Sequence, residues 1–279
     1  MYNTLVSAEQ VRRHLGDWCL LDCRFSLADT GYGRRVYGEG HIAGARFLDL
    51  DRDLSSPVGP RTGRHPLPVP GRLNARLRQC GVGPGVQVVV YDDCGGAMAA
   101  RAWWLLRWLG HDAVALLDGG YPAWLALGGE TQQTPPADAD SGWRAECDGQ
   151  AVVDVDEVEA GLRAPAFTLV DARSAERFRG EQEPIDPVAG HIPGSLNRPL
   201  SENLAGGLFK EAAQLRLEWQ ALLGDRDPAS VVHLCGSGVT ACHNLLSMEV
   251  AGLAGSRLYA GSWSEWIRDP ARPVATGAG

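Results

Sequence analysis

The sequence predicts an α/β protein built of two tandem domains, each a mainly parallel sheet flanked by helices. Three observations lead to it. The first is an internal repeat. Leu21-Asp22-Cys23-Arg24 resembles Val170-Asp171-Ala172-Arg173, and Gly40-His41-Ile42-Ala43-Gly44 resembles Gly190-His191-Ile192-Pro193-Gly194. Asp118-Gly119-Gly120-Tyr121-Pro122-Ala123-Trp124 resembles Ala260-Gly261-Ser262-Trp263-Ser264-Glu265-Trp266, so the three pairs keep their order at offsets of 149, 150 and 142 residues. The second is a pair of nearly continuous, Val-rich runs at 86–91 and 230–234, the pattern of strands buried on both faces of a sheet. The third is that a loop and a helix-length apolar segment follow each run, as in strand–crossover–strand units.

In the first half, residues 98–109 have helical length and composition, and Gly110 supplies a helix C-terminus. Residues 128–150 are rich in Gly, Gln, Pro, Asp and Ala with no sustained apolar period, which reads as a connection between domains. The expected division is therefore a domain at 1–130, a linker at 131–150 and a second domain at 151–279. In the second half, residues 239–250 are the counterpart of the helix at 98–109. The Trp103-Trp104 pair and Trp108 read as core and domain-interface filler.

The 279-residue chain has 44% hydrophobic and 22% charged residues, ordinary for a globular protein, and no apolar run approaches the roughly 20 residues that span a bilayer. A net charge of −8 and a pI near 5.4 exclude a surface built to neutralise nucleic-acid phosphates. The N-terminal residues lack the basic start and apolar stretch of a secretory signal, so the expected address is cytoplasmic. Seven cysteines, Cys19, Cys23, Cys80, Cys94, Cys147, Cys235 and Cys242, form no CxxC pair and no zinc-like Cys/His spacing. No metal is expected, and most of these thiols should pack as small hydrophobes.

The chemistry concentrates in His233-Leu234-Cys235-Gly236-Ser237-Gly238-Val239-Thr240-Ala241, where a buried strand ends and a helix begins. Sheets of this class place ligands outside the carboxyl ends of their strands. Gly236 and Gly238 permit backbone angles that let amide N–H groups gather round a bound atom. Those donors and the helix N-terminus favour a Cys235 thiolate, a nucleophile, over the thiol. The same ring would hold an anionic persulfide. The competing reading is a buried structural thiol beside a tight turn. A cysteine-dependent phosphatase needs an arginine in the loop to clamp phosphoryl oxygens, and none occurs between Cys235 and Arg257.

Cys235-Gly236-Ser237-Gly238-Val239-Thr240 resembles the active-site loop of the mercaptopyruvate branch of the tandem rhodanese family, and the paired landmarks extend that resemblance over nearly the whole chain. It implies two rhodanese-like domains, of which the C-terminal one is catalytic. Counting back 31 residues from Trp266 gives Cys235 and the same count from Trp124 gives Asp93, so the N-terminal domain is expected to lack the nucleophile. Cys94, beside Asp93, is expected to be a packed thiol. The resemblance further implies a Ser-His-Asp set of Ser237, His65 and Asp51, in which His65 relays a proton through Ser237 and Asp51 fixes its tautomer. Asp51 as a turn cap and His65 as a surface residue are the alternatives. It also implies that Gly236, Gly238, Val239 and Thr240 line the substrate and that Arg177 binds its carboxylate, for which a guanidinium is well suited.

One position departs from the family pattern. A second arginine is expected nine residues after Arg177, and Asp186 stands there; Arg179 or another nearby cation would have to substitute. His41 and His191 head a motif present in both halves, only one of which has the nucleophile, and so read as structural. Cys242 reads as core rather than as a resolving thiol. The implied activity is sulfur transfer from 3-mercaptopyruvate through a Cys235 persulfide to cyanide, a small thiol or thioredoxin, with no cofactor. Thiosulfate as donor and a non-catalytic rhodanese-like binding module are the alternatives.

Overall fold

Val88, Val89, Val90 and Tyr91 are each fully buried, as are Val231, Val232, His233 and Leu234, and each tetrad forms the middle strand of a sheet. The computed structural model describes residues 1–164 and 166–278. The chain divides into two units. Unit 1 comprises Met1–Ser56, Leu67–Asp148 and Gly206–Phe209; unit 2 comprises Pro57–Pro66, Gly149–Ala205 and Lys210–Gly279. A ten-residue segment from the first half of the sequence thus belongs to the second unit.

Among the described residues of unit 1, strands β1 (Leu5–Val6), β2 (Cys19–Asp22), β4 (Arg46–Phe47), β5 (Val88–Tyr91) and β6 (Val114–Leu117) form a parallel sheet in the order β1-β6-β5-β2-β4. A separate short pair joins β3 (His41–Ile42) to β7 (Thr131–Gln132). Helices α1 (Ala8–Arg13), α2 (Tyr32–Glu39), α3 (Pro70–Gln79), α4 (Ala99–Trp108) and α5 (Gly120–Ala126) flank them. Unit 2 repeats the arrangement. Its strands β8 (Val152–Val153), β9 (Thr168–Asp171), β10 (Leu196–Asn197), β11 (Val231–Leu234) and β12 (Arg257–Tyr259) lie in the equivalent order β8-β12-β11-β9-β10, all parallel. Its helices are α6 (Val155–Arg163), α7 (Ala175–Arg179), α8 (Ala212–Leu223), α9 (Ala241–Val250) and α10 (Ser262–Trp266).

The repeated motifs do the same work in both units. Asp22 and Asp171 end their strands and grip Arg24 and Arg173, with closest N–O distances of 2.7 Å in each pair. Each arginine then donates to the carbonyl of the glycine before the repeated histidine, Gly40 at 2.7 Å and Gly190 at 2.8 Å, and lies over an aromatic ring, Tyr121 or Trp263. His41 and His191 use Nδ1 on the carbonyls of Tyr37 and Phe178, both at 2.8 Å, and stack on those rings. They are structural, as their presence in both halves implied. The first helix of each unit opens with a capping box, Ser7 with Gln10 and Asp154 with Glu157. Each such cap is worth about 1 kcal/mol.

α4 and α9 have no polar stripe: nearly every residue in each is buried, which suits a helix enclosed on all sides. Trp103, Trp104 and Trp108 lie in this core, and Trp103 Nε1 donates to the Asn3 carbonyl. The expected linker behaves differently from expectation. Thr131–Gln132 is a strand, and the chain to Asp148 is held along unit 1 by backbone bonds from Ala139 to Gln79, Glu146 to Leu109 and Asp148 to Trp108. Trp143, only 7% exposed and edge-on to His111, supplies the apolar anchor that composition alone obscured.

Candidate active site

Cys235 is the first residue after β11, 1% exposed, and its surroundings are polar despite the burial. Its Sγ accepts the N–H of Gly238 at 3.1 Å and that of Ser237 at 3.5 Å. The loop can turn its amides inward because its carbonyls are taken up elsewhere. Cys235 O accepts from Trp263 N at 3.0 Å and Gly236 O from Ser264 N at 2.9 Å, both at the start of α10. Ser262 completes this support: its Oγ accepts the Cys235 N–H at 3.1 Å and donates to Tyr259 O at 2.9 Å. Ser262 is the sole non-glycine residue with positive φ among those described, at 55°, a strained conformation held where it fixes the nucleophile's backbone. Gly238 is required by space and by angle: φ is +76°, and a Cβ there would lie 2.2 Å from Ala260 O.

His65 belongs to the Pro57–Pro66 segment of unit 2. It is buried, and its Nδ1 lies 2.8 Å from Ser237 Oγ. The segment is pinned by Arg64 N donating to Ser264 Oγ at 3.0 Å and by Arg268 Nε donating to Thr62 O at 3.2 Å. Gly63 permits this docking, since a Cβ there would meet Gly261 O at 2.4 Å. The surface-loop alternative for His65 is therefore excluded. Asp51 lies in unit 1, where its backbone N–H donates to Asp49 Oδ1 at 3.0 Å and burial and the Asp49 charge push its carboxyl up. Val239 is buried, and Thr240 is the N-cap residue of α9 without a side-chain capping bond. Cys242 is buried in α9 and donates to Gly238 O at 3.4 Å, a packing role.

The surroundings of Arg177 correct the expectation for Asp186. Glu183 accepts from Arg177 Nε and Nη2 at 2.8–3.1 Å, and Asp186 Oδ2 accepts from Nη2 at 3.2 Å. Asp186 also accepts from Nη1 of Arg64. The acid is thus neutralised by two arginines. Arg179 does not substitute for the absent arginine; it points to Glu181 in a solvent-exposed pair. Arg64 does come close: a Cβ on Gly236 would stand 2.8 Å from Arg64 Nη2 and 3.5 Å from Arg177 Nη2. The loop is electrically neutral only in its own residues, and guanidinium groups from two other segments stand beside it. Arg64 and Glu183 escaped the sequence reading; adjacency to His65 was the one signal for the former.

Asp93 was expected at the nucleophile position of unit 1, and the strand register places Asp92 there instead. Tyr91 pairs with Asp22 as Leu234 pairs with Asp171, so the next residues, Asp92 and Cys235, correspond. The count from the tryptophans misses by one because the first half has an extra residue between β5 and β6: Val89 pairs with Ala115, Val232 with Arg257. The Asp92 carboxylate accepts N–H bonds from Cys94, Gly96, Met98 and Ala99 at 2.8–3.0 Å. The amide nest exists in both units, filled by a carboxylate in one and by a thiol sulfur in the other. Cys94 is exposed rather than packed.

Two stretches of the chain, 7–127 and 154–269, match the model of the rhodanese-like domain. The chain is 51% identical to the "Probable 3-mercaptopyruvate sulfurtransferase" of Pseudomonas aeruginosa, with 98% of each chain covered. It is 38% identical to the human 3-mercaptopyruvate sulfurtransferase over 88% of this chain and 84% of that one. Among solved structures it resembles the 3-mercaptopyruvate sulfurtransferase from Leishmania major, with a TM-score of 0.87, 33% identity and coverage of 96% of this chain and 76% of that one. No helix among the described residues is long and apolar enough to cross a membrane.

Proposed function

Since the chain belongs to the rhodanese family, both halves matching its domain, we propose that unit 2 is a sulfurtransferase acting on 3-mercaptopyruvate through a persulfide on Cys235, with unit 1 non-catalytic. The observation that carries the reading is the pair of amide N–H groups on Cys235 Sγ, with a Ser237–His65 hydrogen bond adjoining them. Backbone donors aimed at one sulfur stabilise a negative charge there without reorganising. The thiolate attacks the donor sulfur; the S–S bond forms as the C–S bond breaks, and that electron pair leaves on carbon as the pyruvate enolate. The proton of the transferred SH passes by way of Ser237 and His65 to the enolate carbon, giving pyruvate and an anionic Cys235 persulfide in the nest. Gly236, Val239 and Thr240 line the donor in this reading. A thiophilic acceptor, cyanide, a small thiol or reduced thioredoxin, then takes the outer sulfur, and the thiolate is restored. Sulfur is both nucleophile and cargo, so the cycle uses no cofactor.

The guanidinium groups at Gly236 favour a second reading with thiosulfate as donor, because cations beside the loop suit a dianion. Glu183 and Asp186 offset that charge and leave little net positive field, which favours the monoanionic oxo acid. A non-catalytic binding module would have no use for amides focused on a thiol. The free state of all seven cysteines suits a reducing, cytoplasmic setting. The deciding experiment follows pyruvate release and the intact protein mass with each donor, for the wild type and Cys235→Ser. Pyruvate release with one sulfur gained by the wild type alone supports the proposal; a clear preference for thiosulfate, or an unmodified wild-type mass, defeats it.

A further inference from the structure

Asp186 stands nine residues after Arg177, and the guanidinium that faces the loop beside Arg177 comes from a segment about 120 residues earlier in the chain. Arg64 rides on the Pro57–Pro66 stretch, whose backbone is fixed to Ser264 and to the Gly261 carbonyl region. Its guanidinium and that of Arg177 converge on the side-chain space that Gly236 leaves empty, one residue from the sulfur. Asp186, with 3% of its side chain exposed, bonds both arginines, one through each oxygen. Arg64 Nε is buried with no hydrogen-bond partner among the described residues, and Nη2 faces Gly236. A polar donor in that condition is satisfied when an acceptor arrives.

We propose that Arg64 is a specificity-determining residue which, with Arg177, forms a two-guanidinium seat for the donor carboxylate over Gly236, and that Asp186 is the positioning residue that sets the spacing of the pair. This rests on the reading of the donor as a mercapto acid. A planar carboxylate matches the flat edge of a guanidinium, and directional bonds rather than net charge discriminate in a site where each cation already has a counter-ion. The second guanidinium is delivered from afar in the sequence, with an acid between the two.

The seat is tested with two donors that differ only there: 3-mercaptopyruvate, and 1-mercaptopropan-2-one, which has a methyl group in place of the carboxylate. For the wild type, Arg64→Ala and Arg64→Lys, KM and kcat are measured with both, using a thiol acceptor. Arg64→Ala is expected to raise KM for mercaptopyruvate about 10- to 100-fold more than for mercaptopropanone, with a smaller change in kcat. Arg64→Lys, which keeps the charge and loses the fork, should recover only part of the difference; it carries the same comparison should the alanine variant not fold. Equal losses with the two donors would show a structural role, and no loss with either would show no role; both overturn the assignment. A wild type that releases no pyruvate from mercaptopyruvate while accepting sulfur from thiosulfate would instead remove the underlying reading and the seat with it.

Discussion

Ser237 Oγ and His65 Nδ1 lie 2.8 Å apart although 172 residues separate them in the chain, and Ser237 also directs its backbone N–H at the Cys235 sulfur. One residue thus joins the charge-holding nest to a group able to carry a proton. Relay groups of this kind contribute about 100- to 10,000-fold. Ser237→Ala and His65→Gln should each lower kcat with mercaptopyruvate by at least about 100-fold, and the double variant should cost little more than either, because the pair acts as one unit. Sulfite leaves thiosulfate without needing a proton, so the same variants should lose far less persulfide formation with that donor. Rapid-mixing measurements with both donors check this; additive losses in the double variant, or equal losses with the two donors, would dismiss the relay.

Gly238 makes a sharper test of the nest. A methyl group there meets Ala260 O at 2.2 Å on a backbone with φ +76°, so Gly238→Ala must shift the loop or strain it. The expected cost is about 1–3 kcal/mol of stability, together with loss of the N–H bond to the sulfur. Chemical denaturation and the protein mass after donor treatment should show both effects. Retained stability with full persulfide yield would mean that this amide is not needed to hold the sulfur.

The α/β class and the repeat were legible because Val-rich tetrads and the Asp-x-Arg and Gly-His-Ile landmarks are local in sequence and have one physical solution each. Cys235 was legible from its glycine loop at the end of a buried strand, whereas Ser237 and His65 were legible as a pair only by resemblance; nothing near His65 reports that Gly63 lets its segment dock beside Gly261. The partner of Asp186 was hidden for the same reason. Sequence proximity points to Arg179 as the nearby cation, whereas the charge of Asp186 is balanced by Arg177 and by Arg64, 122 residues away. The count from the repeated tryptophans lands on Asp93 rather than Asp92 because it ignores an insertion that strand pairing reveals.

Asp92 gives the corresponding prediction for unit 1. Four backbone N–H groups end on its carboxylate, and removing the acceptor leaves buried donors unsatisfied at about 1–3 kcal/mol. Asp92→Ala should lower the denaturation midpoint accordingly, and Asp92→Asn should lower it less because one oxygen remains. The persulfide should stay on Cys235 in both, as read by peptide mass analysis after donor treatment. A variant as stable as the wild type would mean that these amides find other partners, and sulfur on Cys94 would contradict a non-catalytic unit 1.

His233 lies on the strand that presents Cys235, fully buried, with Nε2 3.1 Å from Met248 Sδ and its ring edge-on to Trp219. Burial alone pushes its pKa down to about 3. The unfolded chain takes up a proton near pH 6.5, while the folded protein refuses it until about pH 3, so stability declines as pH falls through that window. Lowering the pH from 7.5 to 5.5 should therefore cost on the order of 1 kcal/mol at this residue, from one proton bound by the unfolded state only. His111, also lowered by burial, adds a decline of the same sign. In His233→Leu the contribution of His233 disappears while that of His111 and the carboxylates remains. Denaturant titrations at the two pH values should then show the variant losing on the order of 1 kcal/mol less than the wild type, whatever its absolute stability. Equal losses would mean that His233 takes up its proton in the folded state as readily as in the unfolded one, and that the strand under the nucleophile tolerates a charge.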